Sequence, residues 1–299
     1  MNRLTDKELI KELENRFSEN DKALKELNAL TSQLTTLNKH LEESEAMKSH
    51  FLSNIRNEII NPFAAIIGLS SSLINSDNYG PDQIKHILSL IFSEAFHLDF
   101  QLQNIFAAAE IEAGEVALQI NKVDVYSVIE QTVSSFQHMA DKNKIKLSLQ
   151  NTIEKTNDST SFLTDQLKFQ IILKNVISNA IQYSHADSEV KIITEFTSQM
   201  LTVTVKDNGI GIAKEEEKLI FDRFKKADSN INTLNKGHGL GLSVCNDYLE
   251  FMNGSIYLES SPGNGSTFII KIPVSSESGN QNTLASDGNI FLFEEGELF

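Results

Sequence analysis

The first 50 residues contain neither glycine nor proline, and this helix-permissive run constrains the chain more than any other feature. From Leu27 the leucines fall at Leu27, Leu30, Leu34, Leu37 and Leu41, alternating steps of three and four that mark a coiled-coil seam. Before them the register is looser, with Leu13, Phe17 and Leu24 as candidates. A single amphipathic helix packed on its own domain would give the same spacing, but the charged flanks favour a parallel dimer. The stripe continues through Met47 into Phe51, Leu52, Ile55, Ile59, Phe63, Ile66 and Ile67. Coiled coil and apolar stripe therefore read as one long helix, with Pro62 removing one backbone donor and predicting a kink near Ile59. The cluster INSDNYGPDQ, residues 74–83, should end it. A second helix is expected over 81–113, with Ile84, Ile87, Leu88, Ile91, Ala95, Leu98, Leu102, Ile105 and Phe106 on one face. Two antiparallel helices of this size cannot bury their stripes alone, whereas two copies can form a four-helix bundle.

Composition narrows the possible functions. A chain of 299 residues, 40% hydrophobic and 22% charged, suffices for two modest domains or one domain plus a long helical element. A formal net charge of -15 argues against a nucleic-acid surface and against adhesion to anionic lipid. The one cysteine, Cys245, leaves no intrachain disulfide and suits a reducing cytoplasm. No apolar run approaches the ~20 residues that span a bilayer, and the charged start is no signal peptide, so no membrane insertion is expected.

From about Gln119 to Val274 strands and helices alternate. Helices are predicted at 125–141, 164–184 and from Gly241, strands at 144–150, 188–196 and 201–207, and a hairpin at 255–260 and 266–273. Four motifs occur here in order. In KNVISNAIQYS, residues 174–184, Asn175 and Asn179 share a helix face, and their amide oxygens suit a hard cation such as Mg²⁺. In VKDNGIGI, residues 205–212, Asp207 can accept from an adenine amino group, and Gly209 and Gly211 would let the backbone approach the base. FDRF, residues 221–224, brings Arg223, followed by Lys225 and Lys226. KGHGLGLSV, residues 236–244, opens a helix whose first amides could hold phosphate oxygens, through Lys236, Gly237, His238, Gly239, Leu240 and Gly241. Last comes GNGSTF, residues 263–268, with Thr267 beside the expected place of Asp207. Each alone is a weak signal: a pair of surface asparagines, a common turn, a glycine triplet outside the dinucleotide fingerprint.

The set in this order resembles the ATP-binding domain shared by histidine kinases, type II topoisomerases and heat-shock chaperones. The helices before it single out the sensor histidine kinases. FLSNIRNEIINPF, residues 51–63, resembles that family's phosphoacceptor box at Phe51, Leu52, Asn54, Glu58 and Pro62, but Asn57 stands where the family has its histidine. Arg56 and Ile60 replace a serine and an arginine of the box. An imidazole has a free ring lone pair that can attack a phosphoryl group, whereas an amide nitrogen has delocalised its own. The segment 107–125 resembles the usual exit from the bundle, with Gly114 as C-cap.

The resemblance implies an α+β chain: an N-terminal coiled coil (1–48), a dimerisation and histidine-phosphotransfer-like hairpin (49–116), an α/β-sandwich ATP-binding domain of the Bergerat type (117–275), and an acidic tail (276–299) read as flexible. It implies ATP and Mg²⁺ as cofactors, Asn179 on the metal, Asp207 on adenine with Thr267 in support, Arg223 near the phosphate face, and the glycines after Lys236 as hinges of a lid. Gln182 stands where the family often has a lysine, either a lost phosphate contact or a plain surface residue. Three functions follow as expectations. One is a homodimeric pseudokinase regulating a partner histidine kinase or response regulator. Another is a phosphatase of a receiver domain using Glu58 and Asn61 to orient water. The third is a kinase acting on a partner's histidine or on another histidine such as His50, His86 or His97.

Overall fold

The structure, a computed structural model, describes residues 6–75, 79–151, 161–197, 199–223 and 239–275. The chain divides into two compact units, Met1–Asn57 and Glu58–Phe299. Helix α1 runs over Asp6–Ile74, with Pro62 inside it. Within the first unit Phe17, Leu24, Leu27, Leu30, Leu34 and Leu37 are each at least 55% exposed. Among the described residues no helix is long and apolar enough to cross a membrane.

In the second unit α2 spans Pro81–Ala113, the bounds that its composition suggested. Pro81 opens it, where the missing N–H costs nothing, and Gly114 ends it in the left-handed conformation at φ 69°. Phe100, Gln101, Asn104, Ala107 and Ala108 are buried, whereas Ile84, Leu88 and Phe92 remain exposed. The C-terminal half of α2 therefore packs within this unit and the N-terminal half presents apolar side chains to solvent.

A five-stranded mixed sheet follows, in the order β2 (Lys146–Asn151), β4 (Glu189–Phe196), β5 (Met200–Lys206), β7 (Ser266–Pro273), β6 (Ser255–Ser260). Strands β2 and β4 pair in parallel, and the other neighbours are antiparallel. Val190 and Ile192, Leu201, Val203 and Val205, and Phe268, Ile270 and Ile272 alternate along three neighbouring strands and are fully or nearly fully buried. That period of two covers one sheet face with helices, which is the pattern of an α/β sandwich. The covering layer is α3 (Val125–Ser135), α5 (Gln166–Tyr183) and α6 (Gly241–Phe251), through Ile129, Phe169, Ile172, Val176, Val244 and Leu249.

Two features differ from the sequence reading. The helix expected over 125–141 is broken at Phe136, whose fully buried ring takes Phe96 and Phe100 of α2 edge-on; a short α4 (Gln137–Lys142) follows. A second, two-stranded sheet of β1 (Ile120–Asp124) and β3 (Ser161–Asp165) was not expected. Asp165, at its end, caps α5 by accepting from the Lys168 amide at 3.0 Å, and its other oxygen accepts from the Gln119 amide at 2.8 Å. One buried carboxylate thus fixes both the head of α5 and the chain leaving α2, a contact whose capping half alone contributes about 1 kcal/mol.

Candidate nucleotide site

Asp207 leaves the end of β5 and is 4% exposed. Its backbone continues the sheet by donating to the Ser266 carbonyl at 2.9 Å. Its Oδ1 accepts from the amides of Gly209 (2.9 Å) and Ser266 (3.0 Å). Oδ2 accepts no hydrogen bond among the described residues, so one carboxylate oxygen anchors the loop and the other is open to a donor. Burial pushes this carboxyl above its ordinary range, while the two amides and the nearby His185 pull it partly back. Thr267 faces Lys206 in the strand register; it is the neighbouring Ser266 backbone that touches Asp207. Sequence reasoning missed Ser266 because the interaction uses its backbone, which no side-chain motif marks.

The loop after Asp207 is held by close backbone packing. Ile210 donates to the Tyr183 carbonyl at 3.2 Å, and a Cβ on Gly209 would overlap that same carbonyl. Gly211 has φ 69°, and a Cβ there would overlap the Ser261 carbonyl. The room that these glycines supply is therefore occupied by the end of α5 and by the 261–265 turn, not left open toward a base. Gly263 closes the turn by donating to Ile210 O at 2.7 Å, and Ile212 donates to Ser260 Oγ at 2.9 Å.

The two asparagines of α5 have different surroundings. Asn179 is half-buried, and its side chain makes no hydrogen bond among the described residues. Asn175 is 3% exposed and uses its amide hydrogens on Asn104 Oδ1 of α2 (2.6 Å) and Ile171 O (3.0 Å). Gln182 is exposed on the last turn.

At the start of α6, Gly239 has φ 68°, Leu240 is buried, and Ser243 Oγ caps back onto the Leu240 carbonyl at 2.9 Å. Arg223 pairs with Asp247 of α6 at 2.9 Å, which ties the FDRF segment to that helix. Asn61 is exposed on α1. Lys225, Lys226, Lys236, Gly237 and His238, and the side chains of His50, Asn57 and Glu58, lie outside the described residues, as does the tail after Ser275.

These donor sets fit a magnesium nucleotide. A buried acceptor with one open oxygen suits an exocyclic amino group. The side-chain oxygens of Asn175 and Asn179 are neutral hard ligands of the kind Mg²⁺ shares with phosphates. No group of three or more His, Cys, Asp or Glu side chains able to hold a metal occurs among the described residues. A cation here would draw its charge balance from the nucleotide.

Residues 164–276 match the family described as histidine kinase-, DNA gyrase B- and HSP90-like ATPase. The chain is 29% identical over 229 residues to the sensor-like histidine kinase SenX3 of Mycolicibacterium smegmatis, covering 77% of this chain and 58% of that protein. It is 28% identical over 235 residues to the sensor protein SrrB of Staphylococcus aureus, covering 77% and 38%. Full-length ShkA, solved in complex with AMPPNP, shares the fold at a TM-score of 0.52 and 20% identity, covering 76% of this chain and 46% of that one. The chain thus spans less than two thirds of the length of these relatives. An α+β chain with helices leading into a one-face-covered mixed sheet, and this ATPase domain within it, defines the class. Residues 164–276 carry that ATPase domain, and the chain as a whole is similar to sensor histidine kinases.

Proposed function

We propose that this chain is a homodimeric regulator of two-component signalling that binds ATP with Mg²⁺ but does not phosphorylate position 57, acting on a partner histidine kinase or response regulator. The observation that carries the nucleotide half is Asp207, a buried carboxylate with one oxygen spent on its own loop and the other open. Asn179, with Asn175 beside it, would hold Mg²⁺. The glycines 237, 239 and 241 would hinge the lid, with Lys236, His238 and Arg223 on its phosphate side. Asn57 supplies no nucleophile, and the changes at Arg56 and Ile60 beside it support natural degeneration of the box. The exposed leucines of the first unit, with Ile60, Phe63, Ile67, Leu88 and Phe92, each at least 50% exposed, support pairing with a second copy through coiled coil and bundle. Calorimetric titration with ATP, with and without Mg²⁺, tests the reading: saturable binding that Mg²⁺ strengthens is expected, and no heat of binding would leave a nucleotide-independent scaffold.

The exposure of Asn61 favours a second reading, since an amide one turn past position 57 and open to solvent could orient water against a phosphoaspartate without any imidazole. In that case Asn61→Ala should slow loss of label from a phosphorylated receiver by about 10²-fold, the scale of one positioned catalytic group. An unchanged rate removes the phosphatase.

A further inference from the structure

The polar seam between α2 and the nucleotide domain ends at the proposed cation site. Its outer part is a cluster of three side chains. Glu110 of α2 accepts from the Tyr248 hydroxyl at 3.0 Å and pairs with Lys168 at 3.3 Å, and Lys168 lies 5.1 Å from the Tyr248 ring centre. Next along α2, Gln103 accepts from Lys174 at 3.2 Å. The innermost contact is the hydrogen bond from Asn175 to Asn104.

These last two side chains can take only one orientation. Asn104 Nδ2 donates to the Phe100 carbonyl at 3.0 Å, so its oxygen must face Asn175. Asn175 then spends its NH₂ group on Asn104 Oδ1 and Ile171 O. Turning either amide over would set oxygen against oxygen or NH₂ against NH₂. Asn175 Oδ1 is what remains, and it accepts no hydrogen bond among the described residues. It points at the root of the lid, where a Cβ on Gly241 would lie 2.5 Å from it. On a side chain only 3% exposed, this amide oxygen lies open beside the first turn of α6, an acceptor available to something outside the protein.

We infer that Asn104 is a positioning residue of the nucleotide site: from α2 it fixes the Asn175 amide with its oxygen toward the cation, and so makes Mg²⁺-dependent nucleotide binding depend on the seat of α2. The inference rests on the nucleotide-binding reading. The test is calorimetric titration of the full chain with ATP, with Mg²⁺ and with EDTA. Asn104→Leu should weaken binding about tenfold in Mg²⁺, the worth of one buried hydrogen bond, and leave binding in EDTA unchanged. Asn104→Ser keeps a donor for the Phe100 carbonyl but is too short to reach Asn175, and should give the same loss if the leucine variant does not fold. Tyr248→Phe loosens the same seam without touching Asn175, so it should lower the unfolding temperature with affinity intact. Equal affinities of wild type and both Asn104 variants overturn the inference. So does an equal loss with and without Mg²⁺, or a loss shared by Tyr248→Phe, since these mark a merely structural contact. A wild type that binds no ATP in either buffer overturns the underlying reading, and the inference with it.

Discussion

Asp207→Asn should weaken ATP binding about a hundredfold while leaving the domain folded. The anchoring oxygen survives, because an amide oxygen can still accept from the Gly209 and Ser266 amides. That choice fixes the new NH₂ group at the place of Oδ2, where the proposed adenine amino group would meet it donor to donor. Loss of a charge-assisted hydrogen bond together with an unpaired donor costs about 3 kcal/mol, on the order of a hundredfold in affinity. Calorimetry measures the affinity, and circular dichroism with a thermal melt checks the fold. An Asp207→Asn chain that binds like wild type would move adenine recognition elsewhere. The same carboxyl predicts a pH dependence. Burial raises its pKa, and on the proposed reading the ionised form is the stronger acceptor for an adenine amino group. Affinity should therefore hold at neutral pH and fall on acidification, beginning above the pH at which an ordinary aspartate would protonate. Its contribution to stability without nucleotide has the opposite sign. A folded-state pKa above the unfolded one favours the fold as pH drops and loses that contribution as pH rises through it. Affinity and apo stability moving in opposite directions across that window would be the signature of Asp207.

Gly211→Ala should be strongly destabilising, as should Gly265→Ala in the turn it meets, where φ is 76° and a Cβ would overlap the Asp207 carbonyl. The change at Gly211 fails twice: φ is 69°, and the new Cβ would overlap the Ser261 carbonyl, a backbone atom that no rotamer change can move. Relief requires parting the Asp207 loop from the 261–265 turn, breaking the bonds from Gly263 to Ile210 and from Ile212 to Ser260 Oγ. A loss of about 3–5 kcal/mol is expected, a large share of the roughly 5–15 kcal/mol that holds a domain together. A thermal melt should show the drop, with ATP binding lost alongside. By contrast a Cβ on Gly263 meets no atom within 4 Å, so Gly263→Ala is strained only by its φ of 78° and should cost far less. Equal melting temperatures for the Gly211 and Gly263 variants would contradict the close packing assigned to this loop.

The elements with strong local signals were legible in the sequence. Helix α2 was readable from Pro81 to Ala113 because proline at its first position and glycine past its last mark both ends. The hairpin of β6 and β7 was readable because a glycine-rich turn joins two alternating runs. The small β1–β3 sheet was not, since INKVD and SFLTD are five-residue segments whose pairing is decided by tertiary partners. Phe136 broke an expected helix because burying its ring against Phe96 and Phe100 outweighs continuing the helical period. Within the candidate site, Asp207, Asn175 and Asn179 stand out in the sequence as acceptor side chains. What each touches does not. That Asn175 is held by Asn104, 71 residues earlier, depends on how α2 docks, and nothing in the spacing of either segment encodes it.

Whether this chain binds ATP and Mg²⁺ yet places no phosphate on itself is decided by one incubation. The purified protein is mixed with γ-labelled ATP and Mg²⁺, with nucleotide binding followed in the same samples. Bound nucleotide with no acid-labile, alkali-stable label on the protein is the predicted result. Label of that kind on the wild-type chain would mean that a histidine other than the one missing at position 57 accepts the phosphoryl group, and the protein would be an active kinase rather than a regulator.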